Sequence, residues 1–212
     1  MTGAALVVFI VFHFIANLAL FSPNPKTYNS ISNSLVDLGG WLVFAEIVLC
    51  GLLAIHILIA LNLKLVSMRA RPHGYEFKQT KGGPSKLGFA STKLFLTGAV
   101  ILIFLIVHII QFKFGPGLSE GYSVSIQGKM VRDLHRLVLE TFHKGYWMAF
   151  YVICMIFLGF HLRHGIWSQF QSLGATNKRT TGPIYNIGTA LAVIIAVGFA
   201  LMPIFIALSG NE

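Results

Sequence analysis

The chain has 212 residues, 55% of them hydrophobic and 11% charged, with a mean hydropathy of +0.74 and a formal charge of +9. Soluble domains carry about 25% charged residues, so this composition excludes an ordinary water-soluble enzyme or binding domain and points to an integral membrane protein. The positive charge gathers in one loop, which the positive-inside rule explains without invoking a nucleic-acid partner.

A bilayer core of about 30 Å takes roughly 20 apolar residues per helix. Five segments qualify, at about 2–21, 41–63, 94–114, 147–172 and 184–208. Met1 opens almost directly onto the first, with neither a basic leader nor an A-x-A-like site, so no removable signal peptide is expected. The stretch 21–40, with Pro23, Pro25 and an Asn/Ser cluster, is expected to turn rather than span. The segment between the second and third spans is the basic loop (Lys64, Arg69, Arg71, Lys78, Lys81, Lys86 and Lys93 against Glu76), broken by Arg71-Pro72-His73-Gly74 and Gly82-Gly83-Pro84. Residues 128–145 place Val131, Leu134, Val138 and Phe142 at helical spacing among charged residues, which predicts an amphipathic helix in the interface. Loop 173–183 adds Lys178 and Arg179 on the side of the basic loop. That side is expected to be cytoplasmic, with the N-terminus in and the C-terminus out. Pro183 falls at the start of the last span and Pro203 within it. Cys50 and Cys154 lie inside apolar runs and read as small buried hydrophobes. The expected fold is an all-α membrane protein: a single domain over 1–212, five transmembrane helices in a bundle, and a short interfacial helix.

One phrase occurs twice. Residues 2–15 read TGAALVVFIVFHFI and residues 97–110 read TGAVILIFLIVHII, sharing Thr2/Thr97, Gly3/Gly98, Ala4/Ala99, Phe9/Phe104, His13/His108 and Ile15/Ile110. Two further spans carry His56 and His161. Ionisable side chains inside a membrane are expensive and are functional candidates by default. His56 follows Trp41, and His161 follows Tyr146, by fifteen residues, about 22 Å down from the outer interface. His108 follows Lys93 by the same interval, about 22 Å up from the inner surface, and the repeat places His13 with it. The four therefore sort into an inner pair, His56 with His161, and an outer pair, His13 with His108, at levels about 15 Å apart.

A lone histidine in a helix bundle is most often a hydrogen-bonded core residue, but four at two matched levels suggest ligation. No Cys, Asp or Glu lies at these levels to build a zinc site. Two neutral imidazoles from opposed helices suit the axial positions of a b-type haem, which gives electron transfer rather than oxygen binding. His164, one turn beyond His161, is the alternative inner ligand. His73, His135 and His143 read as solvated. Arg163 is a candidate partner for a haem propionate or a snorkelling residue. Asp37 and then Glu46 are the candidates for protonating a quinone at the outer side, Asp37 reading equally as a solvated loop acid. Gly3, Gly98, Gly51, Gly159, Gly165 and Gly188 permit close helix approach or leave room for a flat cofactor.

The chain resembles the dihaem cytochrome b membrane subunit of bacterial succinate:quinone oxidoreductase, the complex II and fumarate reductase superfamily, of the single five-helix anchor type. The resemblance spans essentially the whole chain. It rests on Thr2-Gly3 to His13, Thr97-Gly98 to His108, His56, the run Ala70-Arg71-Pro72-His73-Gly74-Tyr75, the run His161 to Ser168, and Gly198 to Ile204. It implies two haem b groups, the proximal on His56 and His161 and the distal on His13 and His108. The family's H-x-x-x-G pattern matches His161 with Gly165, in favour of His161 over His164. It implies a bacterial cytoplasmic membrane, flavoprotein and iron–sulfur subunits on the cytoplasmic face, and menaquinone reacting near the distal haem. The chain would be the electron-transfer subunit rather than the seat of the carbon chemistry. Some fumarate reductases of this type carry a glutamate two residues before the helix-four ligand; Gly159 stands there instead. Other transmembrane dihaem cytochromes (b561-like, or the subunits of hydrogenase and formate dehydrogenase) and a histidine-dependent transporter are the competing readings.

Overall fold

The computed structural model describes residues 2–70 and 93–209, so most of the basic loop, with His73 and the Arg71–Tyr75 motif, lies outside the described residues. Among the described residues there are seven α-helices: α1 Thr2–Asn17, α2 Lys26–Val36, α3 Gly40–Arg69, α4 Leu94–His108, α5 Leu134–Phe142, α6 Gly145–Ser172 and α7 Thr181–Leu208. A 3₁₀ turn, Leu18–Phe21, extends α1, and a π-helical turn, Ile109–Lys113, extends α4. With these extensions, five helices are long and apolar enough to cross a membrane. The protein is an all-α membrane bundle. The face at which α1 begins is called the N-face below, and the opposite one the far face.

The centre of the bundle is the seam between α6 and α7. Cys154, Met155, Leu158, Leu162 and Ile166 of α6 bury against Ala192 and Ile195 of α7, with Val7, Ile10 and Val11 of α1 and Val100, Ile101 and Phe104 of α4 packed around them. Glycines set the approach: a Cβ at Gly159 would lie 2.9 Å from Ala196 Cβ, and one at Gly188 2.9 Å from Ile166 Cγ2. Without a hydrophobic drive between helices in lipid, such small-residue contacts hold the seam. The long α3 contributes no buried residue and packs chiefly on α1, its apolar side chains facing outward.

The far face departs from expectation in two places. The stretch 21–40 does not simply turn, because α2 occupies much of it. Asn29, 3% exposed, donates to Asp133 Oδ1 at 2.7 Å, and its own Oδ1 accepts the His135 backbone N–H at 2.8 Å. This clasp pins α2 to the start of α5, where Asp133 also caps the helix by accepting from Arg136 N–H. Residues 128–145 are likewise not one helix. Ser123–Ile126 (β1) and Lys129–Arg132 (β2) form an antiparallel hairpin, with Val124 opposite Val131. It turns at Gln127 and Gly128, both with positive φ as a two-residue hairpin requires. Only Leu134–Phe142 is helical, and its Leu137, Val138, Thr141 and Phe142 bury against the bundle. Arg132 closes this cap by donating to the carbonyls of Phe112, Gly115 and Pro116 beyond the end of α4.

Candidate functional site

The two copies of the repeated phrase run in the same direction on α1 and α4, each followed by a returning helix, α3 or α6, that carries one further histidine. The bundle thus contains two similar helix pairs, α1 with α3 and α4 with α6. Its four membrane histidines meet in twos. His56 of α3 and His161 of α6 lie with ring centres 6.3 Å apart at an interplanar angle of 79°. His13 of α1 and His108 of α4 lie 5.8 Å apart at 90°. The pairing counted from depth is the one in which the rings meet. Metal–imidazole bonds of about 2 Å, made by two rings facing one metal from opposite sides, place ring centres about 6 Å apart. Both pairs have this separation, and each draws its partners from opposite halves of the bundle.

The glycines show how one repeat serves both levels. Gly98 abuts the His161 ring, where an added Cβ would stand 3.4 Å from Cε1; Gly3 stands comparably near His56, at 3.8 Å. The Thr-Gly end of each repeat therefore flanks the N-face pair, and its histidine end forms the far-face pair. Ten residues separate the two along α1 and along α4, about 15 Å of helix.

The surroundings differ. At the N-face pair the fully buried Thr97 hydroxyl lies 3.2 Å from His161 Nδ1. The far-face pair sits among aromatic rings: Phe9 and Phe199 beside His13, Phe104 and Phe112 beside His108, at centre distances of 5.3–5.8 Å. Tyr151 Oη is 3.5 Å from His108 Nδ1 and donates to Gln111 Oε1 at 2.6 Å. On the other side, Asn17 Nδ2 is 3.4 Å from His13 Nε2 and donates to the His13 carbonyl at 2.7 Å. No family model, curated protein or solved structure matches the chain. The site is therefore read from its own chemistry. Among the described residues no three of His, Cys, Asp or Glu converge, so each pair offers two imidazoles and no more. Two imidazoles between apolar helices, aromatic-lined at the far-face pair, fit a large planar metal chelate, which brings further ligands of its own, better than they fit a bare ion.

His164 lies one turn beyond His161 toward the N-face, and the ring that meets His56 is that of His161. Arg163 is directed at α7, where its guanidinium stacks on the Tyr185 ring at 5.2 Å and donates to the Tyr185 hydroxyl. Asp37 pairs with Lys129 at 2.6 Å and accepts from Asn33; Glu46 pairs with Lys113; all four ion-paired side chains are exposed. His135 sits at the start of α5, where burial lowers its pKa, and His143 at its C-terminal end. Gly159 faces α7, and a glutamate in its place would collide with Ala196. Cys50 is exposed on α3 and Cys154 buried.

Sequence reasoning gave no role to Thr97, Tyr151, Gln111 or Asn17. The signal for Thr97 was present in the repeat, since it falls one residue before the glycine that fronts the opposite helix's histidine. Beside the end of α4, a cavity of about 270 Å³ opens among Gln111, Pro116, Tyr122, Leu137, Glu140 and Lys144. Gln111, within the π-helical turn after His108, joins it through Tyr151 to the far-face pair. Such turns are frequent at functional sites.

Proposed function

We propose that this chain is the dihaem cytochrome b anchor of a complex II-type succinate:quinone oxidoreductase, carrying electrons between an iron–sulfur partner subunit and menaquinone in a bacterial cytoplasmic membrane. The observation that carries the reading is the pair of facing histidine couples, at 6.3 Å and 5.8 Å, stacked on helices that both copies of one repeat share. His56 and His161 would hold one haem b and His13 and His108 the other. Haem held by these histidines would supply a one-electron iron couple, suited to electron transfer. The protein's own part would be to fix two such groups at different depths, hold their ligand rings edge to face, and line the far-face one with aromatic side chains. The order of the motifs along the chain supports the complex II reading over other dihaem cytochromes, and Gly159 argues against a glutamate proton path at that position.

Menaquinone would be met at the cavity beside Gln111. The cavity lies past the end of α4, one tyrosine away from His108, and this nearness to the far-face histidine pair supports the reading. Tyr151 occupies the Gln111 carbonyl oxygen, which leaves the amide N–H groups to meet a quinone oxygen, with Lys144 and Glu140 at the same cavity to exchange protons.

A redox titration of the purified membrane complex, followed at the haem α-band, tests this directly. Two b-type components and a co-purifying flavin-containing, succinate-oxidising subunit are expected. Dithionite reduction without a haem-b band would sink the reading and favour a proton-relaying transporter. Two haems without the flavin subunit would move it to another dihaem cytochrome.

A further inference from the structure

We infer that Thr97 is a positioning residue that keeps the proton of His161 on Nδ1 and so leaves Nε2, with its lone pair, as the free acceptor of the ring that meets His56; the consequence for haem rests on the function proposed above. A threonine hydroxyl has one proton to give and two lone pairs to receive with. The Thr97 proton is committed, because Oγ1 donates to the Leu94 carbonyl oxygen at 2.9 Å, and a backbone carbonyl can only accept. The side chain is fully buried, so water does not compete for it. At 3.2 Å from His161 Nδ1, the hydroxyl oxygen is left with lone pairs only, so the ring nitrogen must be the donor. A neutral imidazole that donates from Nδ1 carries its free lone pair on Nε2. The last turn before the repeated glycine thus selects the tautomer on the neighbouring helix. Gly98, one residue on, lets the ring come this close.

The arrangement is local to one histidine. At His108 the Tyr151 oxygen stands farther away, 3.5 Å, and its proton goes to a side-chain amide whose two ends can exchange places. That site therefore serves as an internal comparison. A hydroxyl that accepts from Nδ1 makes the ring a stronger donor to metal, which favours the ferric state; partners of this kind change metal affinity by about 10- to 100-fold.

The first test needs no haem. In the full chain in detergent, labelled with ¹⁵N-histidine, the His161 resonances (assigned by loss in His161→Gln) are expected to be those of the Nδ1–H tautomer. Thr97→Val should abolish that preference and Thr97→Ser restore it. An Nε2–H tautomer at His161 in the unsubstituted chain overturns the inference whether or not haem binds. The second test uses the haem-loaded complex. Thr97→Val should raise the midpoint potential of one haem and leave the other in place. A tenfold change in its ferric-to-ferrous ratio corresponds to about 59 mV for a one-electron couple. Unchanged potentials for both haems in Thr97→Val, or failure of Thr97→Ser to return the shifted one, would also refute it. A chain that never binds haem defeats the proposed function instead, and the tautomer measurement still decides the role of Thr97.

Discussion

Gly98 on α4 stands against His161 on α6, so close that a Cβ there would lie 3.4 Å from Cε1 and 3.8 Å from Nδ1 of the imidazole. This contact ties the N-face histidine pair to the repeat that also supplies the far-face pair. A methyl group at these distances makes ordinary contact, so Gly98→Ala should keep both haems. Gly98→Leu cannot be accommodated without turning the ring, and overpacking of this kind costs about 1–3 kcal/mol. The expected outcome is a complex with half the haem of the unsubstituted protein, measured as pyridine haemochrome per chain, with the His13/His108 signal intact. Full haem content in Gly98→Leu would show that the ring is not confined from this side.

The Asn29–Asp133 clasp is expected to be the main fastening of the far-face cap. Asn29→Ala leaves the part-buried His135 N–H without its partner and takes one of two donors from Asp133 Oδ1, which keeps the Arg136 N–H, a loss of about 1 kcal/mol or more. Amide hydrogen exchange should then speed up across Lys26–Val36 and the first turn of α5, while α6 and α7 stay protected. Equal loosening of the whole bundle would mean that α2 is not a separate cap.

These two sites also show what could and could not be read from the chain. The five spans were legible because hydrocarbon demands long apolar helices, and their histidines could be paired because helix rise converts residue count to depth. The α2 helix was not legible: Tyr28, Ile31, Leu35 and Val36 do fall at helical spacing, but they stand among Asn and Ser residues just after Pro23 and Pro25, which read as a turn, and the tertiary fastening comes from Asp133 and His135, more than a hundred residues away. Val131 misled for a related reason. It is a buried residue that fits a helical spacing with Leu134 and Val138, yet it buries itself from a strand, after a turn made by Gln127 and Gly128. The repeat marked Thr97 as a position but not its role, since residue spacing fixes its level in the membrane and not the face of α6 that it meets.

Gln111 provides a test of the proposed quinone cavity that leaves the four histidines alone. Gln111→Leu keeps the volume of the side chain but removes both the oxygen that Tyr151 uses and the amide N–H groups available to a quinone. Succinate-dependent menaquinone reduction is expected to fall by about tenfold, the loss of one hydrogen bond worth about 0.5–1.5 kcal/mol. Reduction of an artificial acceptor by the catalytic subunits, and the haem content, should be unchanged. A variant with normal quinone turnover would remove the cavity from the proposal.

Tyr28 gives the protein an alkaline limit. It lies on α2 and donates to Asn17 Oδ1 at 3.2 Å, and Asn17 in turn donates to the His13 carbonyl. Burial pushes the Tyr28 hydroxyl up to about 12, with the Arg132 charge acting weakly in the opposite sense. A phenol in the unfolded chain titrates near pH 10, so between pH 10 and 12 the unfolded state has lost a proton that the folded state retains. The stabilisation from keeping Tyr28 neutral is therefore fully present below pH 10 and is lost as pH rises toward 12, on the order of 2 kcal/mol in all. Tyr28→Phe should begin less stable at pH 8, by about 0.5–1.5 kcal/mol for the missing hydrogen bond. It should then decline less steeply than the unsubstituted chain between pH 10 and 11.5. Thermal unfolding in detergent, followed by circular dichroism across this range, gives both slopes. Parallel slopes would mean that Tyr28 ionises without resistance, and that its contact with Asn17 does not hold the cap over the far-face histidines.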